Sequence, residues 1–504
     1  MPRSVRLLLA ALAAVALLVP GLAVQVPPAH AGVQVFFVST TGSDSNPGTS
    51  AQPWRSINFA AQRTGVVGPG DFVVVRGGTY EEIVDVKVSG SADADITFME
   101  QPGQNVVISG EGRDLIGQRG LINIRNESHL VFDGFELTDF AGVHPVDDTP
   151  VGVRVEGTPS GLTLQNLDIH DISAAGYGGG RVGNAHGIAV YGTSGGTPIS
   201  GLTIANNHVH DLRLGTSEAI VVNGNVRGWT IVGNTVERVD NIAIDAIGFE
   251  GTAGSNDQAR MGVIANNVID DVDTADNPGY DNCACAAGIY VDGGRDIIIQ
   301  RNRVSRADLG IEIGAESRKR GAAATGILVR NNLVEDTEQG GLTMGGYAAD
   351  RGAVRDVRVV NNTFVEPDNL RKGYGLVYLN FNLSRVRMVN NVLAISLGGK
   401  ILTGYAKDTG RMSFAGNRWF AATRPAGATL WTLRGKDIRG YKRWKAATGE
   451  TKGSYGTPKL GADRAPAAGS PLINRGVPVD AGTTDLAGNP RKVGPIDIGA
   501  FEVQ

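Results

Sequence analysis

AGIYVDGGRDIIIQRNRVSRADLGIEIGAE, residues Ala287 to Glu316, holds two short runs of the form Gly-Ile-x-(Val/Ile), with a third apolar run and an Asn-x-Val signature between them. The apolar run followed by Asn recurs as LTIANNHV, WTIVGNTV, GVIANNVI, IIIQRNRV, ILVRNNLV, VRVVNNTF, VRMVNNVL and MSFAGNRW. Their alignment superimposes Asn207, Asn234, Asn267, Asn302, Asn332, Asn362, Asn391 and Asn417, at separations of 27, 33, 35, 30, 30, 29 and 26 residues. A period that drifts in this way marks a solenoid whose coils carry loops of unequal length. Each unit is built of short Ile, Val and Leu runs punctuated by Gly and Asn, which predicts strands. One coil cannot bury its own apolar face, so the coils stack and their strands pair in parallel. The recurrent Asn fits an inward ladder in which each amide bonds the next rung.

Outward from the repeats, Met1 to Ala31 reads as a secretory signal. Arg3 and Arg6 form its basic start, Leu7 to Val19 its apolar stretch, and Ala29-His30-Ala31 its small-x-small cleavage site. No later apolar run reaches the roughly 18 residues of a membrane span, so the expectation is a soluble, secreted, extracellular protein with no membrane partner. Net charge is −4, which gives no drive toward nucleic acid. The two cysteines, Cys283 and Cys285, cannot frame a fold with disulfides. Domain organisation reads as signal peptide 1–31, strand-and-helix cap 32–82, solenoid body 83–420, and final irregular coils with a carboxy-terminal cap at 421–504. A monomer is expected.

Residues Val35 to Glu82 contain a strand, a Gly/Ser/Asp/Pro loop, an amphipathic helix near Ser56–Arg63 with Ile57, Ala60 and Ala61 on one face, and a second strand. The form Val-Ser-x-x-Gly-Ser-Asp-x-x-Pro-Gly-Thr within it resembles the amino-terminal entry of secreted right-handed parallel β-helix proteins of the pectate-lyase-like superfamily, and is similar to family nine polysaccharide lyases. The resemblance implies an all-β, right-handed parallel β-helix with a helix covering its open end. The closing DLAGNPRKVGPIDIGAFE resembles the terminal motif of many such proteins. No catalytic motif of family nine lyases matches residue by residue.

Chemistry is therefore sought on one face of the stack, where the second strands read HGIAVYG, EAIVVNG, NIAID, GIYVDGG, GIEIGAE and GLTMGG. Side chains alternate along a strand. With Ile242 and Ile244 inward like Ile289 and Val291, one outward column is Tyr191, Asn223, Asp245 and Asp292. The other is Ala189, Val221, Ala243, Tyr290, Glu312 and Thr343. Asp245, Asp292 and Glu312 are the predicted catalytic set, with Tyr191, Asn223, Tyr290, His186, Glu218, Glu316 and Arg295 as substrate-binding residues. Paired carboxylates on neighbouring rungs suit glycoside hydrolysis. The same three acids are candidate Ca²⁺ ligands. The resemblance to lyases implies the metal-assisted alternative, in which a neutralised uronate undergoes β-elimination. His170 and His210 share a register in DIHD and HVHD, either flanking a site or serving as polar turn residues.

The expected function is a polysaccharide- or oligosaccharide-cleaving enzyme, a hydrolase or a lyase. A non-catalytic glycan-binding or surface-structural solenoid and a uronate epimerase stand as alternatives, and no cofactor beyond Ca²⁺ is indicated. Export is decided by amino-terminal sequencing of secreted material, which is expected to begin near Gly32; an uncleaved, membrane-bound product would overturn the signal reading.

Overall fold

A computed structural model describes residues 32–113, 115, 117–281, 283–366, 374–396, 398–404 and 410–504. The expected signal peptide lies outside them. The chain winds as a right-handed parallel β-helix. Three long sheets, of 14, 13 and 13 strands, run its length, and successive strands of one coil go to successive sheets. In one coil, Ile199–Ala205 joins the first sheet, His208–Leu212 the second and Ile220–Gly224 the third. Pairing is parallel throughout the stack, with an antiparallel pair, Thr429–Leu433 with Lys436–Arg439, near its far end. Among the described residues, no helix is long and apolar enough to cross a membrane.

The turn between first and second sheets is where the asparagines act. Each Nδ2 donates to the Oδ1 of the next: Asn207 to Asn234 at 2.9 Å, Asn234 to Asn267 at 3.0 Å, Asn267 to Asn302 at 2.9 Å, and on through Asn332, Asn362 and Asn391 to Asn417. The backbone N–H of each ladder residue donates to the same Oδ1, and the second Nδ2 hydrogen goes to a carbonyl of the preceding coil. The residue before each ladder position takes a left-handed turn, as at Asn206, Gly233, Asn266, Asn331, Asn361, Asn390 and Gly416. Asn and Gly tolerate that conformation best, which accounts for the NN and GN pairs in the repeats.

Both ends of the column are closed chemically. At the lower end the Oδ1 of Asn207 accepts from Leu167 N–H, where an apolar side chain replaces the amide. At the upper end Asn417 donates to the buried Glu450, which also accepts from Trp419 Nε1 and Trp444 Nε1. Trp444 belongs to the helix Tyr441–Thr448 and stacks on Trp431, sealing the core. Near the amino end, the helix Ile57–Ala61 is capped by Ser56 and buries Ile57, Ala60 and Ala61, as its sequence pattern predicts.

The stretch read as a carboxy-terminal cap follows another course. Residues 460–501 run back along the side of the stack. Ala481 and Ile496 cover Leu328 and Val360; Leu472 and Ile498 cover Val392 and Ala394. The turn asparagines Asn331, Asn361 and Asn390 donate to carbonyls of Ala481, Asp497 and Val477, so the tail is fixed to three successive coils.

Asn302→Ala would strand the Asn267 N–H and Nδ2 inside the core and remove the bonds to Ile264 O and Asn332. Orphaned buried donors cost ~1–3 kcal/mol each, so a loss of about 3 kcal/mol or more is expected in denaturant unfolding. A loss below about 1 kcal/mol would remove the ladder from the account of stability.

Candidate active site

The third sheet places His186–Gly192, Ile220–Gly224, Ile244–Ile247, Ala287–Asp292, Leu309–Gly314 and Gly340–Met344 side by side. Its central outward column is Ala189, Val221, Asp245, Tyr290, Glu312 and Thr343. The parallel column holds Tyr191, Asn223 and Ile247, and farther on Asp292 and Gly314. Asp245 thus pairs with Val221 and Tyr290, two residues away from the position that the sequence alignment gives it. A two-residue slip keeps a side chain on its face, so Asp245 still points outward. The inward pair on its strand becomes Ile244 and Ala246; Ala243 joins the core and Ile242 is half-buried.

The correct register was readable in a column of small residues. Gly187, Ala219, Ala243, Gly288 and Gly310 each precede the first core Ile of their strand. A Cβ at Gly288 would meet Val304 Cγ1 at 2.6 Å, and one at Gly310 would meet Val334 Cγ1 at 2.3 Å. The wall of the second sheet approaches too closely for anything large. Alignment of Ala243 with Gly288 sets Asp245 opposite Tyr290.

Tyr290 therefore stands between Asp245 and Glu312, which lie two rungs, ~9.6 Å, apart by strand spacing. Asp292 is one rung from each and two residues along, ~8 Å from both. The Tyr290 ring leans across Gly314, where a Cβ would lie 2.6 Å from its hydroxyl, and the hydroxyl donates to Glu316 Oε1 at 3.2 Å. Asp292 Oδ1 accepts the Glu316 N–H at 2.6 Å. Asp245 is 2% exposed, and its Oδ1 has no hydrogen-bond partner among the described residues.

Of the acids that the sequence reads as solvent-facing, Asp245 and Asp292 are buried, Glu312 is half-buried and Glu316 stays exposed. Burial first, then the charge of Glu316, pushes Asp292 up to about 8. Burial, then Glu316 and Asp292, takes Glu312 up to about 8. Burial, then Glu250, takes Glu218 up to about 8. Burial and the charge of Glu218 hold Asp245 well above the usual carboxylate range. At neutral pH the cluster carries protons that exposed carboxylates would lose.

Around this centre, His186 Nδ1–H donates to Glu218 O at 2.9 Å and its Nε2 accepts from Tyr191 O–H at 3.0 Å. Burial holds His186 down at about 4, so it is neutral and orients Tyr191. Asn223 is occupied in fixing a loop: Nδ2 donates to Glu250 Oε2 at 2.7 Å and Oδ1 accepts from Thr252 at 2.7 Å. Glu250, absent from the predicted set, sits in the loop between the strands Ile244–Ile247 and Arg260–Ala265. Tyr280, from the 271–287 loop, accepts from Asn241 at 2.9 Å and is pushed up to about 12 by burial, with a smaller contribution from Glu218. The same loop carries Cys283 and Cys285, which are bridged.

Arg295 is the predicted residue that does not join. Its backbone bridges Arg260 and Thr325 on the first sheet, and its side chain pairs with Asp296 at 3.5 Å. The calcium reading also lacks geometric support. Among the described residues, the group of three whose ligand atoms lie within 4.8 Å of one another is Asp168, His208 and His210; Asp245, Asp292 and Glu312 form no such group. With Tyr290 between two of them, these carboxylates do not converge on one ion.

Residues 36–194 match the family described as Pel9A-like, right handed beta helix region, and residues 151–395 match the family described as right handed beta helix region. The uncharacterized protein YwoF of Bacillus subtilis (strain 168) is 37% identical over 359 residues, 71% of this chain and 74% of the relative. Among solved structures, the GH136 lacto-N-biosidase from Eubacterium ramulus is similar with a TM-score of 0.53 and 15% identity, over 75% of this chain and 68% of that one. The A-module of the Azotobacter vinelandii mannuronan C-5 epimerase AlgE6 is similar with a TM-score of 0.51 and 12% identity, over 80% and 93%. At these identities the likeness is one of fold.

The raised acids give a stability signature. Protonated, they favour the fold; that contribution is complete below their ordinary values of 3.8 and 4.5 and is lost as pH rises through about 8. Asp292→Asn and Glu312→Gln remove the charge, so each is expected to raise stability by about 2 kcal/mol at pH 9 and to change little at pH 4. Thermal unfolding across pH checks this, and variants less stable than the parent at pH 9 would contradict it.

Proposed function

Given that the chain belongs to the right-handed parallel β-helix proteins of the pectate-lyase-like type, we propose that it is an exported carbohydrate-active enzyme that hydrolyses glycosidic bonds at the Asp245–Asp292–Glu312 face. The observation that carries the proposal is the set of three carboxyls around Tyr290 on three consecutive rungs, Asp245 and Asp292 buried and Glu312 half-buried, with protonation held up by burial and mutual charge. Inverting glycosidases place their two carboxyls ~6.5–9.5 Å apart, leaving room for a water, and the ~8 Å backbone diagonal between Asp292 and Glu312 is compatible with a separation of that size.

In this reading Glu312 is the general acid. Burial keeps its proton at neutral pH, ready for the departing glycosidic oxygen. Asp292 is the general base in the form that has lost its proton. Burial and the charge of Glu316 hold it up to about 8, and the Glu316 N–H bond favours the ionised form. The active state thus pairs an ionised Asp292 with a protonated Glu312 and is populated near pH 8. Asp245 keeps a buried Oδ1 without a partner among the described residues, which a sugar hydroxyl reaching it would satisfy. Tyr290 forms the wall between the two rungs.

Substrate charge and length follow from the surroundings. A uronate carboxylate would meet Glu218, Asp245, Asp292 and Glu316; the cation acting on this cluster is Arg351, felt at Glu316. That favours neutral sugars and counts against β-elimination or epimerisation of a uronate. On the earlier rungs the outward Val151, Ala189 and Val221 are fully buried beside Tyr191, so the face is blocked on one side of the acids. A blocked face suits the end of a glycan chain better than its middle.

The test is digestion of neutral and uronate-containing oligosaccharides in ¹⁸O-water, read by mass spectrometry and anomeric NMR. Expected are short products from a chain end, one solvent oxygen per cleavage, inverted configuration, insensitivity to chelator, and a narrow pH optimum near 8, with an acid limb from Asp292 and an alkaline limb from Glu312. Asp292→Asn and Glu312→Gln are expected to lower kcat by ~10²–10⁴. An unsaturated, chelator-sensitive product would replace hydrolysis with elimination, and glycan binding without turnover would leave a lectin-like solenoid.

A further inference from the structure

On the second sheet, away from the acid face, strands Asp168–His170 and His208–Leu212 pair with Asp168 opposite His208 and His170 opposite His210. Alternation puts His208 and His210 on one side of their strand, above Asp168 on the rung below. Both imidazoles aim a ring nitrogen at one oxygen, Asp168 Oδ1: His210 Nε2 at 2.9 Å and His208 Nδ1 at 3.4 Å.

The other nitrogen of each ring is already committed. His210 Nδ1 lies 2.6 Å from Asp211 Oδ2, and His208 Nε2 lies 3.2 Å from Glu237 Oε1. Arg238 binds both of these acids, through Nε to Asp211 Oδ1 at 2.8 Å and through Nη1 to Glu237. Arg238 Nη2 also reaches Asp211 Oδ2 at 2.9 Å and lies 3.3 Å from His210 Nδ1. The ring nitrogens on the other side, His208 Nδ1 and His210 Nε2, converge with the Asp168 carboxylate, and the three ligand atoms all lie within 4.8 Å of one another.

We propose that Asp168, His208 and His210 form a binding site for one divalent first-row transition cation of the Zn²⁺ class, linking two consecutive rungs of the β-helix. Two nitrogens and one carboxylate oxygen are the donor set such ions take, whereas calcium and magnesium prefer oxygen alone. With metal–ligand bonds of about 2.1 Å, ligand atoms on a tetrahedral ion lie about 3.4 Å apart. The observed 2.9 and 3.4 Å need an opening of at most about half an ångström on that scale. Asp211 and Glu237, held in turn by Arg238, supply the outer carboxylates that fix tautomer and ring orientation in metal-bound histidines. Three protein ligands leave the fourth position to water. The side chains of Asp168 and His208 are 48% and 41% exposed, so an ion reaches the site from solvent.

The test uses tag-free, chelator-treated protein, titrated with Zn²⁺ by calorimetry and with Co²⁺ by visible absorption. One equivalent per chain is expected, with Co²⁺ giving the intense bands of a tetrahedral site. His208→Ala and His210→Ala should each abolish the stoichiometric binding, while circular dichroism stays unchanged because both residues lie on the outer surface. Asp211→Asn keeps all three ligands and is expected to weaken Zn²⁺ roughly tenfold to a hundredfold. Absence of saturation at one equivalent, or Zn²⁺ affinity unchanged in the His208→Ala/His210→Ala double variant, would overturn the site.

Discussion

An amide in an apolar interior is stable only when every donor and acceptor it carries is met, and in this protein each ladder asparagine is met by the next one. Oδ1 takes two bonds from the residue below; Nδ2 gives one to the residue above and one to a carbonyl of the preceding coil. A coil shifted by one residue would bury an apolar side chain against these groups and leave several unsatisfied. The ladder thus fixes register in a stack whose strands, rich in similar Ile and Val runs, could otherwise slide past one another. That fixed register lets side chains from coils some 20 to 45 residues apart in sequence, such as Asp245, Tyr290 and Glu312, stand in one file.

The acid face draws on this rigidity. Buried carboxyls with raised protonation constants oppose folding wherever pH makes them ionise, and the loops that cover them create the penalty. Such a cluster persists where the surrounding frame is stable enough to hold it. The frame also sets the fine geometry. Gly314 is small because the Tyr290 ring crosses it, and Gly288 and Gly310 are small because the second sheet presses against them. Residues that look permissive in the sequence are thereby positional: each marks where another side chain or strand must come close.

The repeats made much of this legible. Register, strand type, parallel pairing and the inward asparagines all follow from eight aligned segments, since each segment repeats the same physical requirement. Asp292 and Glu312 were legible for the same reason, their strands aligning without a gap. Asp245 was placed on the correct face but in the wrong column, because NIAIDAIG offers two equally apolar alignments and the deciding residue is the modest Ala243. Arg295 followed its strand in sequence and was assigned to the site, yet the chain turns at Gly293 and carries it to another sheet. Glu250 and Tyr280 come from loops, whose course depends on contacts such as Asn223 to Glu250 that no local pattern announces. The tail, legible as a terminal motif, gave no sign that it would run along the side of the stack.

The solenoid also explains how one chain can carry two unlike polar centres. Each coil contributes a strand to each of three faces, and a face is built only from its own strands, so composition on one face is free to differ from the next. On the third sheet, burial first and mutual repulsion second keep protons on the carboxyls. On the second, the acids are partly exposed and bonded to histidines and Arg238. Both centres use the strand spacing that the ladder enforces. What separates their chemistry is coverage: the same carboxyl group holds a proton where loops exclude water and offers a lone pair where solvent and arginine keep it ionised.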